Sequence, residues 1–197
     1  MSQYVEPRPL GGESFRPLFA PHLQPGEQIH AVAELTLSDL IRRVPRKYRP
    51  GAATRGVGAV LGALFEPVAV VAELLLEGIF GISRVIRRIT RGAGLQGGWG
   101  SQAGQFVIAV RHGYEGAASM DNNRAVVAFT DRRMLLADHL VGLGLKPLGE
   151  LPYGRVRRVE DRTGAVADRV DLHFADGSLA ALSQSSDEAR ALVALIR

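Results

Sequence analysis

The chain has 197 residues, of which 46% are hydrophobic and 22% charged, enough for one domain with a full core and too apolar to remain unfolded. With no cysteine it can hold neither a disulfide framework, nor a thiolate nucleophile, nor a Cys-ligated zinc, which fits a cytoplasmic address. Its 24 basic and 20 acidic residues leave a net charge of +4, all of it in the first half: residues 105–197 carry 12 of each sign, residues 1–104 carry 12 basic and 8 acidic.

The N-terminus has no apolar run behind a basic start, so no secretory signal is expected. Residues 1–28 hold five of the ten prolines (Pro7, Pro9, Pro17, Pro21 and Pro25) and predict an arm without regular structure, with residues 1–22 outside the main domain. From Ile29 to Leu37 apolar and polar residues alternate, the pattern of a half-buried strand. A basic cluster follows, Arg42, Arg43, Arg46, Lys47, Arg49 and Arg55, and then a Gly/Ala-rich apolar stretch. Within that stretch Gly58 and Gly62 are spaced to let another helix approach closely. Pro67 suits the first turn of a helix, and the helix predicted to run to Arg91 has one narrow polar stripe along the line of Glu66, Glu73, Glu77, Arg84, Arg88 and Arg91. The remaining circumference is apolar, including Leu74, Leu75, Leu76, Ile79, Ile82 and Ile86, with acids at the N-terminal end and arginines at the C-terminal end as the macrodipole favours.

Gly92–Gly100 reads by composition as a flexible linker. Beyond it, short strands are predicted at 106–110, 125–129, 134–137, 155–160, 170–174 and 179–183. Asp176-Gly177 between the last two predicts a two-residue hairpin turn in which both residues take positive φ. Ser185 and Glu188 form a capping-box pattern that opens a terminal helix with Ala189, Leu192, Val193 and Ile196 on its apolar face.

Several of these segments resemble the bacterial pleckstrin-homology (PH-like) domains. Pro25-Gly26-Glu27-Gln28-Ile29 is similar to that family's opening strand, and Val126–Leu136, with Thr130-Asp131-Arg132-Arg133 at its centre, to a strand–turn–strand unit. Leu151-Pro152-Tyr153-Gly154-Arg155-Val156 and Leu172–Gly177 are similar to its later strand and hairpin. The resemblance spans residues 23–37 and 105–197 and implies a seven-stranded antiparallel barrel closed by a C-terminal helix, no catalysis, and ring-like self-association or lipid-facing roles. Residues 38–104 depart from it as an insertion after the first strand. That insertion replaces the basic loop with which phosphoinositide readers bind, so inositide specificity does not carry over. The expected fold class is therefore α+β, mainly β: a PH-like antiparallel barrel with a C-terminal capping helix and an inserted helical hairpin.

No catalytic constellation or cofactor motif emerges. The five histidines (His22, His30, His112, His139 and His173) have no i, i+4 partner for zinc. Gly92-x-Gly94-x-x-Gly97 matches a dinucleotide fingerprint in letters only, since that chemistry needs a strand before it and a helix after it. Residues 57–82 are long enough to span a bilayer, but their fourteen Val, Leu, Ile and Phe residues contribute only about −6 kcal/mol, against about 2–3 kcal/mol each for Glu66 and Glu73. Arginine clusters at both ends favour dipping into one face over crossing.

The expected membrane contacts are Arg42, Arg43, Arg46, Lys47, Arg49, Arg84, Arg87, Arg88 and Arg91 for anionic headgroups, and Leu74, Leu75, Leu76, Ile79, Ile82 and Ile86 for apolar contact. The alternative is a soluble homo-oligomer in which the same apolar residues, with Gly58 and Gly62, pack on sister subunits. Nucleic acid is disfavoured, because aromatics are 6% of the chain and only Tyr48 lies among the basic clusters. Arg155, Arg157 and Arg158 would form a further basic face, except that strict alternation sends Arg157 and Arg158 to opposite sides of their strand. The expectation is a non-enzymatic scaffold without cofactors that partners itself and an anionic lipid surface on the inner face of the cell membrane.

Overall fold

A computed structural model describes residues 11–45, 48, 92–112, 123–140 and 144–196. Its elements are α1 (Arg16–Phe19), β1 (Ile29–Thr36), β2 (Leu95–Gln96), α2 (Gln102–His112), β3 (Arg124–Thr130), β4 (Arg133–Leu140), β5 (Gly144–Pro152), β6 (Val156–Asp161), β7 (Arg169–Phe174), β8 (Leu179–Ser183) and α3 (Ser186–Leu195). The strands form two antiparallel four-stranded sheets, in the orders β1-β3-β4-β5 and β2-β8-β7-β6. The sheets meet where β1 runs out: Leu37 bridges Leu182, Ser38 N–H donates to the Ala181 carbonyl at 3.0 Å, and Gln184 Nε2 donates to the Glu34 carbonyl at 3.0 Å. The fold is thus α+β and mainly β with a C-terminal helix, as two sheets rather than a closed barrel.

Residues 106–110 form a helix where alternation predicts a strand. A run this uniformly apolar satisfies either period, and here Ala103, Phe106, Val107 and Val110, at helical spacing, are buried in the core between the sheets. Phe106 packs against Phe174 of β7 with ring centroids 5.8 Å apart. All four N–H groups of the first turn are satisfied. Gln102 donates to Asp176 Oδ2 (2.8 Å), Ala103 to Ser178 Oγ (3.0 Å), Gly104 to Ser101 Oγ (3.1 Å) and Gln105 to the Ser101 carbonyl (2.9 Å).

The β7–β8 hairpin that supplies two of these caps is tight but not of the two-residue kind. Gly177 alone takes positive φ (+80°), while Gly177 N–H donates to the Phe174 carbonyl (3.0 Å) and Phe174 N–H to the Ser178 carbonyl (2.9 Å), a three-residue loop with glycine at the left-handed position. The Gly92–Gly100 run is not simply a linker, since Leu95 and Gln96 pair with Ala180 and Leu179 as β2. At the other end the capping box forms as read, with Ser185 Oγ accepting from Glu188 N–H and Glu188 Oε2 accepting from Ser185 N–H.

The proline-rich arm is also more regular than expected, because Pro17 and Pro21 occupy first-turn positions where a missing N–H costs nothing. The arm covers the outer face of the first sheet. Phe19 is buried with Val32, Val126, Ala128, Leu135 and Ala137, which is why β3 is apolar on both faces. It also guards the edge of β1: Glu13 Oε1 accepts from Val32 N–H (2.9 Å), and Arg16 donates to the carbonyls of Ile29 (2.7 Å) and His30 (3.3 Å).

Three of the four segments that carry the family resemblance meet at one corner. Glu27, its side chain fully enclosed, accepts from Arg133 Nη2 (3.0 Å) and from Thr130 Oγ1 (2.7 Å). Arg133 also pairs with Glu150, and Tyr153 donates its hydroxyl to the Thr130 carbonyl at 2.5 Å. The Arg133 guanidinium outweighs burial and lowers the Glu27 carboxyl from 4.5 to about 2. A carboxylate lowered on folding stabilises above its unfolded pKa, and that contribution is lost as pH falls toward the folded value.

Two outcomes follow. Thermal melting should show stability declining between about pH 4.5 and 2, and Glu27→Gln should flatten that part of the profile while lowering the melting point at neutral pH. Phe19→Ala should lower unfolding free energy in urea by about 3 kcal/mol, whereas a dispensable arm would leave it unchanged.

Candidate functional site

The candidate site is the place where the chain leaves the sheets after β1 and returns before β2. On the outgoing side Leu40, Ile41 and Val44 are buried. On the returning side Gly94 lies so close that a Cβ there would come within 2.8 Å of the Ile41 nitrogen, so only glycine fits. Gly94 accepts from Ala181 N–H at 2.7 Å, and Ala181 in turn accepts from Ser38, so both roots flank one residue of β8. Of the glycines of the apparent dinucleotide fingerprint, Gly94 serves this close packing while Gly92 lies against Arg169 and Gly97 against Ser178, and β2 begins inside the motif instead of before it.

Two buried arginines hold the roots. Arg111, in the last turn of α2 and 6% exposed, donates Nη2 to the Ile41 carbonyl (3.2 Å), Nη1 to the Arg42 carbonyl and Nε to Asn123 Oδ1 (3.0 Å). Arg169, 3% exposed, makes a two-pronged pair with Asp171 (2.7 and 3.1 Å) and uses Nη2 again on the Ala93 carbonyl (3.2 Å). Arg111 therefore grips the outgoing root and Arg169 the returning one. Beside them a polar cleft of about 350 Å³ lies between Ser38–Leu40, the Val166–Arg169 loop and Leu182–Ser183.

Arg42 and Arg43 stand exposed at the outgoing root. Arg46, Lys47, Arg49, Arg84, Arg87, Arg88 and Arg91, the apolar set Leu74, Leu75, Leu76, Ile79, Ile82 and Ile86, the Gly58/Gly62 pair and the predicted helix from Pro67 lie outside the described residues. Among the described residues no helix is long and apolar enough to cross a membrane. Sequence reading missed Arg111 and Arg169. The helical spacing of Ala103, Phe106, Val107 and Val110 could have flagged Arg111 as a last-turn donor, and Arg169-x-Asp171 as an ion pair on one face of a strand. No family model, curated protein or solved structure matches the chain.

Arg111→Met keeps an unbranched apolar stem but removes the donors from two root carbonyls. It should cost about 2–4 kcal/mol in denaturant unfolding and speed amide exchange at Ile41, while exchange in β4 stays protected. Uniform exchange across the domain would show that Arg111 does not act on the root.

Proposed function

We propose that the chain is a non-enzymatic, self-associating scaffold or adaptor, a PH-like platform whose intervening segment attaches it to the cytoplasmic face of an anionic membrane. The observation that carries this reading is the clamping of both roots against one residue of β8 by Arg111 and Arg169. A segment whose two ends are fixed together on a packed core can engage another surface without disturbing the sheets. Its sequence suits a shallow anionic interface, with apolar residues between arginine clusters that both fall on one side if the segment dips in and returns. Exposed Arg42 and Arg43 extend the outgoing cluster onto the platform. The PH-like part is supported by the succession β1-β3-β4-β5, then β6, β7, β8 and a terminal helix, and by the convergence of Glu27, Thr130, Arg133 and Tyr153.

Co-sedimentation with phosphatidylserine-containing vesicles tests the attachment. The protein should pellet at low salt and less at high salt, and deletion of residues 56–91 should abolish pelleting while leaving cooperative thermal unfolding intact. Failure to pellet at low salt overturns the membrane reading, and a chain that fails to pellet but forms a discrete multimer that dissociates on the same deletion is the soluble homo-oligomer instead.

A further inference from the structure

Toward the hairpin end of the second sheet, three arginines stand within four positions where its edge strand begins. Arg155, Arg157 and Arg158 are all exposed. Strict alternation would separate Arg157 from Arg158, but the register shift between Val156 and Arg158 keeps Val156 and Val159 in the core and leaves both arginines outside. Arg158 donates to Glu160 Oε2 (3.1 Å), which also contacts His173 Nε2 at 3.0 Å. Among the described residues, Arg155 and Arg157 have no acidic partner.

β6 is the last strand of its sheet, and α3 packs on its valine side, with Ala189 and Leu192 in the same core as Val156 and Val159. A charged bulge protects an edge strand from pairing with another chain, and Arg157 with Arg158 could do that alone. Arg155 is not covered by that account. It precedes the ladder, in the turn Tyr153–Arg155, where its carbonyl accepts from Ala175 N–H at 2.8 Å.

We infer that this end of β6 docks an acidic polypeptide segment, whose carboxylates take the guanidinium groups of Arg155 and Arg157. Charge complementarity argues for the acid. The surroundings argue for a polypeptide: the Tyr153 ring is half-buried against the core, and the exposed large apolar side chain of the described residues is Leu18, on α1 and not beside β6. The site thus offers neither a stacking platform for bases nor an apolar wedge for lipid. It lies level with His173 and Phe174, whereas the roots meet β8 at Ala181, level with Asp171. The inference deepens the adaptor reading, resting on it for purpose, by giving the chemistry of the partner.

Fluorescence anisotropy of a labelled oligoglutamate against the full chain tests it, beside vesicle pelleting. The peptide should bind at low salt, R155E/R157E and R155A/R157A should each weaken binding by about tenfold or more, and R42E/R43E should leave it unchanged, with melting points confirming the fold of each variant. Absence of binding by the native chain, or equal binding by the R155 and R157 variants, overturns the proposal. So does a loss of vesicle pelleting in R155E/R157E with peptide binding intact, which would assign the arginines to lipid. Peptide binding without any vesicle pelleting would overturn the membrane reading and leave this site standing.

Discussion

Helix α2 is held at both ends, and the two sheets are organised around it. Its first turn is capped from outside by Asp176 and Ser178 of the β7–β8 hairpin, and its last turn sends Arg111 to the carbonyls of Ile41 and Arg42. Between those ends Phe106, Val107 and Val110 are buried in the core that both sheets share, and the sheets also join at the Leu37–Leu182 corner. An apolar helix of eleven residues is too short to be stable alone, so its formation depends on this burial and on the borrowed caps. The same helix therefore sets the distance between the sheets and the position of the outgoing root.

The remaining surfaces are closed by other devices. The arm shields the outer face of β3 and β4 with Phe19 and occupies the edge of β1 with Glu13 and Arg16. The enclosed Glu27–Arg133 pair ties the start of β1 to the β3–β4 turn, and its cost of desolvation is offset because Thr130 and the Gln24 N–H also bond the carboxylate. Arg169 with Asp171 does the same for the returning root. Each buried charge in these clusters is matched by directed hydrogen bonds, so each constrains geometry at a junction between elements distant in sequence.

These junctions explain what could be read in advance. β1, β3, β4, β6, β7, β8 and α3 were legible, and so was a turn at Asp176-Gly177 although not its three-residue form, because alternation, turn residues and the Ser185–Glu188 box are signals confined to a few neighbouring positions. α2 was not: Phe106-Val-Ile-Ala-Val110 satisfies two periods, and the choice was made by a core needing a rod and by caps from residues more than seventy positions away. The bulge at Arg157 was hidden for a related reason, since register is a property of two strands and not of one.

The candidate site divides in the same way. Composition and order determined that an apolar, arginine-flanked segment interrupts a mainly β chain after its first strand, since hydrophobicity and charge are properties of residues wherever they sit. Only the tertiary structure decided that the two ends of that interruption meet at Gly94 and Ile41, that Arg111 and Arg169 hold them, and that Arg157 and Arg158 share one side of β6. Contact between residues fifty or more positions apart depends on how the sheets pack, and local sequence patterns carry no record of that packing.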